Sequence, residues 1–182
     1  MTIRFVGNIA LLPQNIQESI AKSIERFERK KDQVKAVLNL CFSYTSRDEV
    51  VTAYRDILSE AQNGRITAID VSEPYFRKCL QVGSTPEMLV RTSGELRLSD
   101  FLQYQTANAC FICTPVLWPA LSFKDFFWAV IKYQFQCLCA SDSTLARTID
   151  DDEADNAQLT ERAKTSIENV QQLQKKRLLQ AK

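Results

Sequence analysis

Residues 91–101 read RTSGELRLSDF, a stretch that sets two arginines and several hydroxyl groups around a single glycine. Arg91 and Arg97 each carry a planar fork of donors able to grip phosphate oxygens bidentately, and both stay charged throughout the accessible pH range. Gly94 lets the backbone between them turn tightly or approach a ligand closely. Ser99 and Asp100 are both good N-caps. The stretch therefore predicts a helix from about Asp100 to Asn108, with Ser99 at an end whose amides and dipole favour an anion. Together these residues have the makings of a pyrophosphate pocket. Just ahead, Glu87-Met88-Leu89-Val90 reads as a short buried strand that Pro86 opens. Arg91 leaves it at the carboxyl end, the edge at which open α/β sheets bind ligands. Taken as an arbitrary string, the same letters also fit a solvated loop with surface ion pairs, and the wider sequence decides between the two.

Working outward, the pattern alternates. Ile3 to Val6 is a strand. Ile16, Ile20, Ile24 and Phe27 recur on one face of a helix introduced by Pro13, with charges opposite. The run from Ala36 to Phe42, apolar but for Asn39, predicts a strand buried on both sides. Val50, Val51, Tyr54, Ile57, Leu58 and Ala61 form a second amphipathic helix that Asn63-Gly64 ends, and Ser72 can cap a short helix before the motif strand. Strand, helix, strand, helix, strand implies right-handed crossovers and a parallel sheet, an α/β fold. Beyond the motif, Cys110 to Leu117 predicts a strand and Phe123 to Phe135 a helix. Its aromatic face of Phe123, Phe126, Phe127 and Phe135, flanked by Trp128 and Tyr133, packs on the sheet or on a partner subunit, with a lipid-contacting surface as the alternative.

The string from Arg91 to Phe101 resembles the diphosphate-binding motif of the cis-prenyltransferases, which make undecaprenyl and dehydrodolichyl diphosphate. Tyr104-Gln105 stands where that family commonly has Trp-Gln, and Val116-Leu117-Trp118-Pro119 is similar to its VLWP. Arg4-Phe5-Val6-Gly7 with Leu11-Leu12-Pro13 looks like a family strand ending in glycine and aspartate, with Asn8 replacing the aspartate. Leu38 to Arg47 resembles a strand and loop of the eukaryotic, dolichol-making branch. The resemblance runs from Arg4 to about Gln136.

What the resemblance implies is a prenyltransferase that condenses isopentenyl diphosphate onto an allylic diphosphate such as farnesyl diphosphate, with magnesium (Mg2+) as cofactor. Arg91, Arg97 and Ser99 become ligands of the isopentenyl diphosphate headgroup, with Glu95 supporting their loop. Bacterial members place a magnesium-binding glutamate where this chain has Cys110, so no metal ligand is assigned here. The family's opening HxAxIMDGNxRWA motif, whose aspartate holds magnesium and the allylic diphosphate, is absent from this sequence, which contains no histidine. The fold expectation is accordingly a parallel β-sheet flanked by helices, lacking the N-terminal strand and crossover helices, plus a C-terminal helix. The catalytic residue stays unassigned, and apolar surface on the first two strands is expected to lie uncovered. The resemblance further implies a homo- or heterodimer with a cis-prenyltransferase-like subunit and a peripheral location on the cytosolic face of the endoplasmic reticulum. An incomplete or accessory chain that modulates a full-length relative is the alternative. Accessory subunits tend to lose the phosphate ligands and keep a C-terminal Arg-x-Gly, whereas the last glycine here is Gly94.

Composition agrees with a globular domain. The chain has 182 residues, 45% of them hydrophobic, and 23 basic against 22 acidic side chains give a net charge of +1, which supplies no electrostatic case for nucleic acid. The longest apolar stretches fall far short of the roughly 20 residues needed to cross a bilayer, and no signal-peptide pattern is present, so membrane contact is expected to be peripheral. Six cysteines include a CxxC pair, Cys110 and Cys113, and a CxC pair, Cys137 and Cys139. The first pair lies in an apolar strand without the turn glycines of a zinc knuckle, and so reads as core. Residues 1–140 are read as the family's C-terminal portion and 141–156, with Asp150-Asp151-Asp152-Glu153, as an acidic linker. Residues 157–182 are read as a helix with Leu159, Ala163, Ile167, Val170 and Leu173 on one face, docking on the body or on another chain.

Overall fold

The computed structural model describes residues 2–28, 36–139 and 157–180; the acidic segment 141–156 lies outside them. In chain order the strands are β1 (Thr2–Val6), β2 (Val37–Cys41), β3 (Met88–Arg91) and β4 (Cys110–Cys113). The helices are α1 (Gln14–Glu28), α2 (Ser46–Gln62), α3 (Glu73–Cys79), α4 (Phe123–Cys139) and α5 (Glu161–Gln180). The chain divides into two compact units, Met1–Gly83 with Leu159–Lys182, and Ser84–Gln158. Each unit holds one parallel strand pair with helices against it, so the α/β class and the parallel pairing expected from the sequence are both present.

In the first unit β1 pairs with β2 in the register Thr2↔Val37 to Val6↔Cys41. The ladder runs on past the strands, Phe42 N donating to Val6 O at 2.8 Å and Asn8 N to Ser43 O at 3.3 Å. Between them Gly7 has φ +112°, and a Cβ there would overlap the carbonyl oxygen of Phe42, so only glycine fits where the two strand ends close together. α1 packs on β1 and buries Ile20, while Ile24 and Phe27 are half-buried and Ile16 faces outward. α2 begins at an N-cap, Thr45, whose hydroxyl accepts from Asp48 N at 3.2 Å. Ser72 caps α3 in the same way, as its sequence position suggests, with Pro74 in the first turn. The C-terminal helix docks on α2 and α3, with Ala163, Ile167 and Val170 buried and Leu173 partly exposed.

Two expectations about this unit need correction. β2 is not buried on both sides: Val37 is 52% and Leu38 41% exposed, because α1 packs on the neighbouring strand β1 and β2 is left more open. In α2, Ile57 and Ala53 point inward, but Val51, Tyr54 and Leu58 are exposed, and the buried positions also include Glu49, Asp56 and Glu60. Those carboxylates can be buried because each is hydrogen-bonded or ion-paired by neighbours from other parts of the unit.

In the second unit β3 and β4 pair in the register Met88↔Cys110 to Arg91↔Cys113. Side chains alternate across a strand, so Met88 and Val90 share a face with Cys110 and Ile112. That face forms the core with Ala129 and Tyr133 of α4. Cys110 and Cys113 fall on opposite faces, which separates the CxxC pair and leaves Cys110 as a core thiol beside Gln136. α4 has its predicted helical form, yet Phe123, Phe126, Phe127, Trp128 and Phe135 are all exposed rather than packed on the strands. β4 ends at Cys113, four residues before its predicted limit; Thr114 to Leu117 continue as an irregular segment. Among the described residues no helix is long and apolar enough to cross a membrane.

Candidate functional site

The face of β3 and β4 turned away from the core carries Leu89, Arg91, Phe111 and Cys113, by the same alternation. Over it lies a cleft of about 350 Å³ lined by Leu89, Val90, Arg91, Thr92, Ser93, Leu98, Phe101 and Phe111. Arg91 is the last residue of its strand, so its guanidinium stands at the carboxyl edge, and Nη2 donates to Ser99 Oγ at 3.4 Å. The structure therefore brings together two residues eight apart in sequence that the motif singled out.

The loop between them is pinned by the chain that follows β4. Thr114 N donates to Arg91 O at 2.8 Å, and Gly94 N and Ser93 N donate at 2.9 Å to Thr114 O and Val116 O. Gly94 takes φ +70° with nothing nearer its missing Cβ than Pro115 Cα at 3.7 Å. The tight turn predicted at this glycine is present, and its role is conformational rather than one of close packing. Cys113 Sγ donates to Glu95 O at 3.4 Å and holds the next part of the loop. Glu95 then pairs with Arg97, Oε2 to Nε at 3.4 Å, but Arg97 is 72% exposed. An exposed pair of this kind contributes about 0 to 1 kcal/mol, so Arg97 can exchange Glu95 for another anion at little cost.

One part of the reading is overturned. Residues 100–108 do not form a helix; they run as turns, with isolated bonds such as Phe101 N to Leu98 O and Thr106 N to Leu102 O. Ser99, Asp100 and Leu102 have φ of 51°, 59° and 45°, and left-handed residues at the proposed cap cannot start a right-handed helix. Ser99 therefore acts through its hydroxyl toward Arg91, and no helix dipole supports an anion here. What remains is an arginine bonded to a hydroxyl at a small cleft, and a second arginine, exposed and paired with Glu95, that is not among the residues lining it.

Leu89, Leu98, Phe101 and Phe111 were not singled out by sequence reasoning as site residues. Leu89 and Phe111 had a signal: an i, i−2 relation to Arg91 and pairing across β3 and β4 put them on one face. Phe101 and Leu98 had none, because their approach depends on the left-handed turns. Among the described residues no group of three or more His, Cys, Asp or Glu could hold a metal ion. Burial pushes the Cys110 thiol up, with Cys137 adding to it, which makes Cys110 a poor replacement for a carboxylate ligand.

Residues 1–137 match the family described as "Putative undecaprenyl diphosphate synthase". Over 134 residues the chain is 41% identical to the dehydrodolichyl diphosphate synthase complex subunit DHDDS of Homo sapiens, covering 72% of this chain and 39% of that protein. It is 39% identical over 137 residues to the corresponding complex subunit of Schizosaccharomyces pombe, covering 74% and 51%. Among solved structures, the lavandulyl diphosphate synthase of Lavandula x intermedia, in complex with dimethylallyl diphosphate, superposes with a TM-score of 0.65 at 25% identity, over 73% of this chain and 57% of that one. The chain thus spans about half or less of the length of the curated relatives it matches.

Proposed function

Since the chain belongs to the undecaprenyl diphosphate synthase family of cis-prenyltransferases, we propose that it takes part in prenyl chain elongation and supplies the isopentenyl diphosphate site. The observation that carries this is the placement of Arg91 and Ser99 at the mouth of the cleft lined by Leu89, Leu98, Phe101 and Phe111. A diphosphate bearing a short branched hydrocarbon has matching parts: oxygens for the arginine forks, and carbons for the apolar wall. Arg91 and Ser99 hold the headgroup, Arg97 leaves Glu95 to join them, and Glu95 returns to Arg97 when the site empties.

The gain for the reaction is orientation and charge. With its headgroup fixed, the isopentenyl double bond faces the allylic carbon, a new carbon–carbon bond forms there as pyrophosphate leaves, and the product loses a proton to restore the alkene. No covalent nucleophile on the protein is needed. Magnesium, which the family resemblance implies, would assist departure of the pyrophosphate; no described residue is assigned to it and no step here depends on one. The product is proposed to be a polyprenyl diphosphate of the dehydrodolichyl type, made in a dimer with a cis-prenyltransferase-like subunit at the cytosolic face of the endoplasmic reticulum. The relatives named as complex subunits support the partner.

A complementation assay tests the reading. A full-length relative whose own motif arginine has been replaced is mixed with this chain, and incorporation of radiolabelled isopentenyl diphosphate onto farnesyl diphosphate is measured. The wild-type chain should restore incorporation and Arg91→Ala should not. Equal restoration by both, or by neither, contradicts the assignment.

A further inference from the structure

α5 lies outside the residues that match the family, yet it supplies the partners of an otherwise costly buried face. Asp56, 2% exposed, receives both terminal nitrogens of Arg177 at 2.9 and 2.6 Å. Glu60 accepts from Ser166 Oγ at 3.1 Å and Asn169 Nδ2 at 3.4 Å, with Arg65 completing its shell at 2.5 Å. Ser166 Oγ also bonds Tyr75 OH at 2.9 Å, Thr160 Oγ1 donates to Asp70 Oδ1 at 2.7 Å, and Gln174 Nε2 donates to Cys79 O at 2.8 Å. Tyr75 and Cys79 both belong to α3.

α3 has seven residues, too few to be stable unless both ends are held. α5 holds one side of it. The other is its exit, where Gln81 Oε1 accepts from Gly7 N at 2.7 Å and Gln81 O accepts from Arg4 Nη2 at 3.0 Å. Val82 N donates to Glu49 Oε1 at 2.8 Å, and Glu49 Oε2 accepts from Tyr44 OH at 2.5 Å. Gly7 follows β1 directly and Tyr44 lies in the turn after β2, so these contacts brace the carboxyl edge of that sheet.

We infer that α5 is a latch: seated on α2 and α3, it fixes the exit of α3 and, through Gln81 and Glu49, holds the Gly7 and Tyr44 turns in one arrangement. Unseating α5 frees α3 from Tyr75 and Cys79 onward, and the edge loosens with it. The coupling element is α3 itself, a single short helix bonded to α5 on one side and to the sheet edge on the other, which is a physical connection and not mere proximity. The latch does not depend on the substrate reading, so each can fail without the other.

Hydrogen exchange on the full chain tests it, comparing wild type with Gln174→Ala, Arg177→Glu and Arg177→Lys. The marker amides are Gly7 and Val82, with Thr114 of the second unit as control. Gln174→Ala should speed exchange at Gly7 and Val82 by about three- to tenfold, the effect of one lost hydrogen bond. Arg177→Glu should speed it further and Arg177→Lys less than Arg177→Glu, while Thr114 exchanges as before. Acceleration confined to α5, or no change at Gly7 and Val82, overturns the latch. Equal acceleration at Thr114 in Gln174→Ala also overturns it, since the effect is then global unfolding. Should Arg177→Glu fail to fold, the single-bond variant Gln174→Ala decides alone.

Discussion

Gly7→Ala gives a quantitative test of how the first unit is closed. An alanine at φ +112° occupies a region that L side chains rarely adopt, which costs on the order of 1 to 3 kcal/mol. Its Cβ would overlap the Phe42 carbonyl oxygen and lie 3.1 Å from both Phe42 C and Tyr44 Cα, all backbone atoms that no rotamer change can move aside. Separating the two segments weakens the bonds from Gly7 N to Gln81 Oε1, Phe42 N to Val6 O and Asn8 N to Ser43 O, each worth about 0.5 to 1.5 kcal/mol net. Strain plus the partial loss of these three bonds comes to about 3 to 5 kcal/mol. Gly94→Ala is the internal control: φ is again positive, but the nearest atoms stand 3.7 Å or more away, so it should cost only about 1 to 2 kcal/mol. With a urea slope of about 2 kcal/mol/M, the midpoint followed by far-UV circular dichroism should fall by about 2 M for Gly7→Ala and by about 0.5 to 1 M for Gly94→Ala. Equal losses would show that the contact with Phe42 is absent and refute the packing argument.

Three further outcomes follow from buried groups. Arg177→Ala leaves the Asp56 carboxylate buried without its bidentate partner; because Arg177 is itself half-exposed, the loss should be about 2 to 3 kcal/mol by urea denaturation, and Asp56→Asn combined with it should recover part of that loss. The Asp70 carboxyl is held below the usual range, first by the Thr160 hydroxyl and then by Thr67. A carboxyl lowered on folding contributes stability above its unfolded value of about 4 and loses it as pH falls through the lower folded value, so wild type should lose stability over that range more steeply than Asp70→Asn. Burial pushes the Cys79 thiol up to about 12, while Cys139 is exposed. At pH 8 a thiol reagent should label Cys139 and leave Cys79 unmodified until urea is added, as read by peptide mass mapping.

The sequence carried much of this architecture because the relevant signals are local. The 3.6-residue recurrence of Ile16, Ile20, Ile24 and Phe27, the cap at Ser72, and the apolar runs at Ile3 and Leu38 each act within a few residues of themselves. What sequence reading missed depends on partners far along the chain. The sequence pattern puts Val50, Val51, Tyr54, Ile57, Leu58 and Ala61 on one face of α2, whereas the structure leaves Val51, Tyr54 and Leu58 exposed and turns Asp56 and Glu60 inward; Arg177 and Ser166, which make that possible, lie 121 and 106 residues away. In the motif, the identity of Arg91 and Ser99 as a cationic and hydroxyl pair was readable, and the structure brings them together. The turns after Ser99 were not readable, because Asp100, a good capping residue, also tolerates the left-handed backbone found there, and nothing local marks Ser99 for the same conformation. The cleft walls from Phe101 and Leu98 depend on those turns and were invisible for the same reason.

The central claim is that the Arg91 cleft receives isopentenyl diphosphate. Titration calorimetry of the chain with isopentenyl diphosphate, in wild type, Arg91→Ala, Arg91→Lys and Ser99→Ala, tests it most directly. Losing the charge-assisted fork of Arg91 should weaken binding by about 1.5 to 3 kcal/mol, roughly 10- to 150-fold, with Arg91→Lys recovering only part and Ser99→Ala losing about 1 kcal/mol. Unchanged affinity for isopentenyl diphosphate in Arg91→Ala, or a loss seen only with farnesyl diphosphate as ligand, would contradict the account.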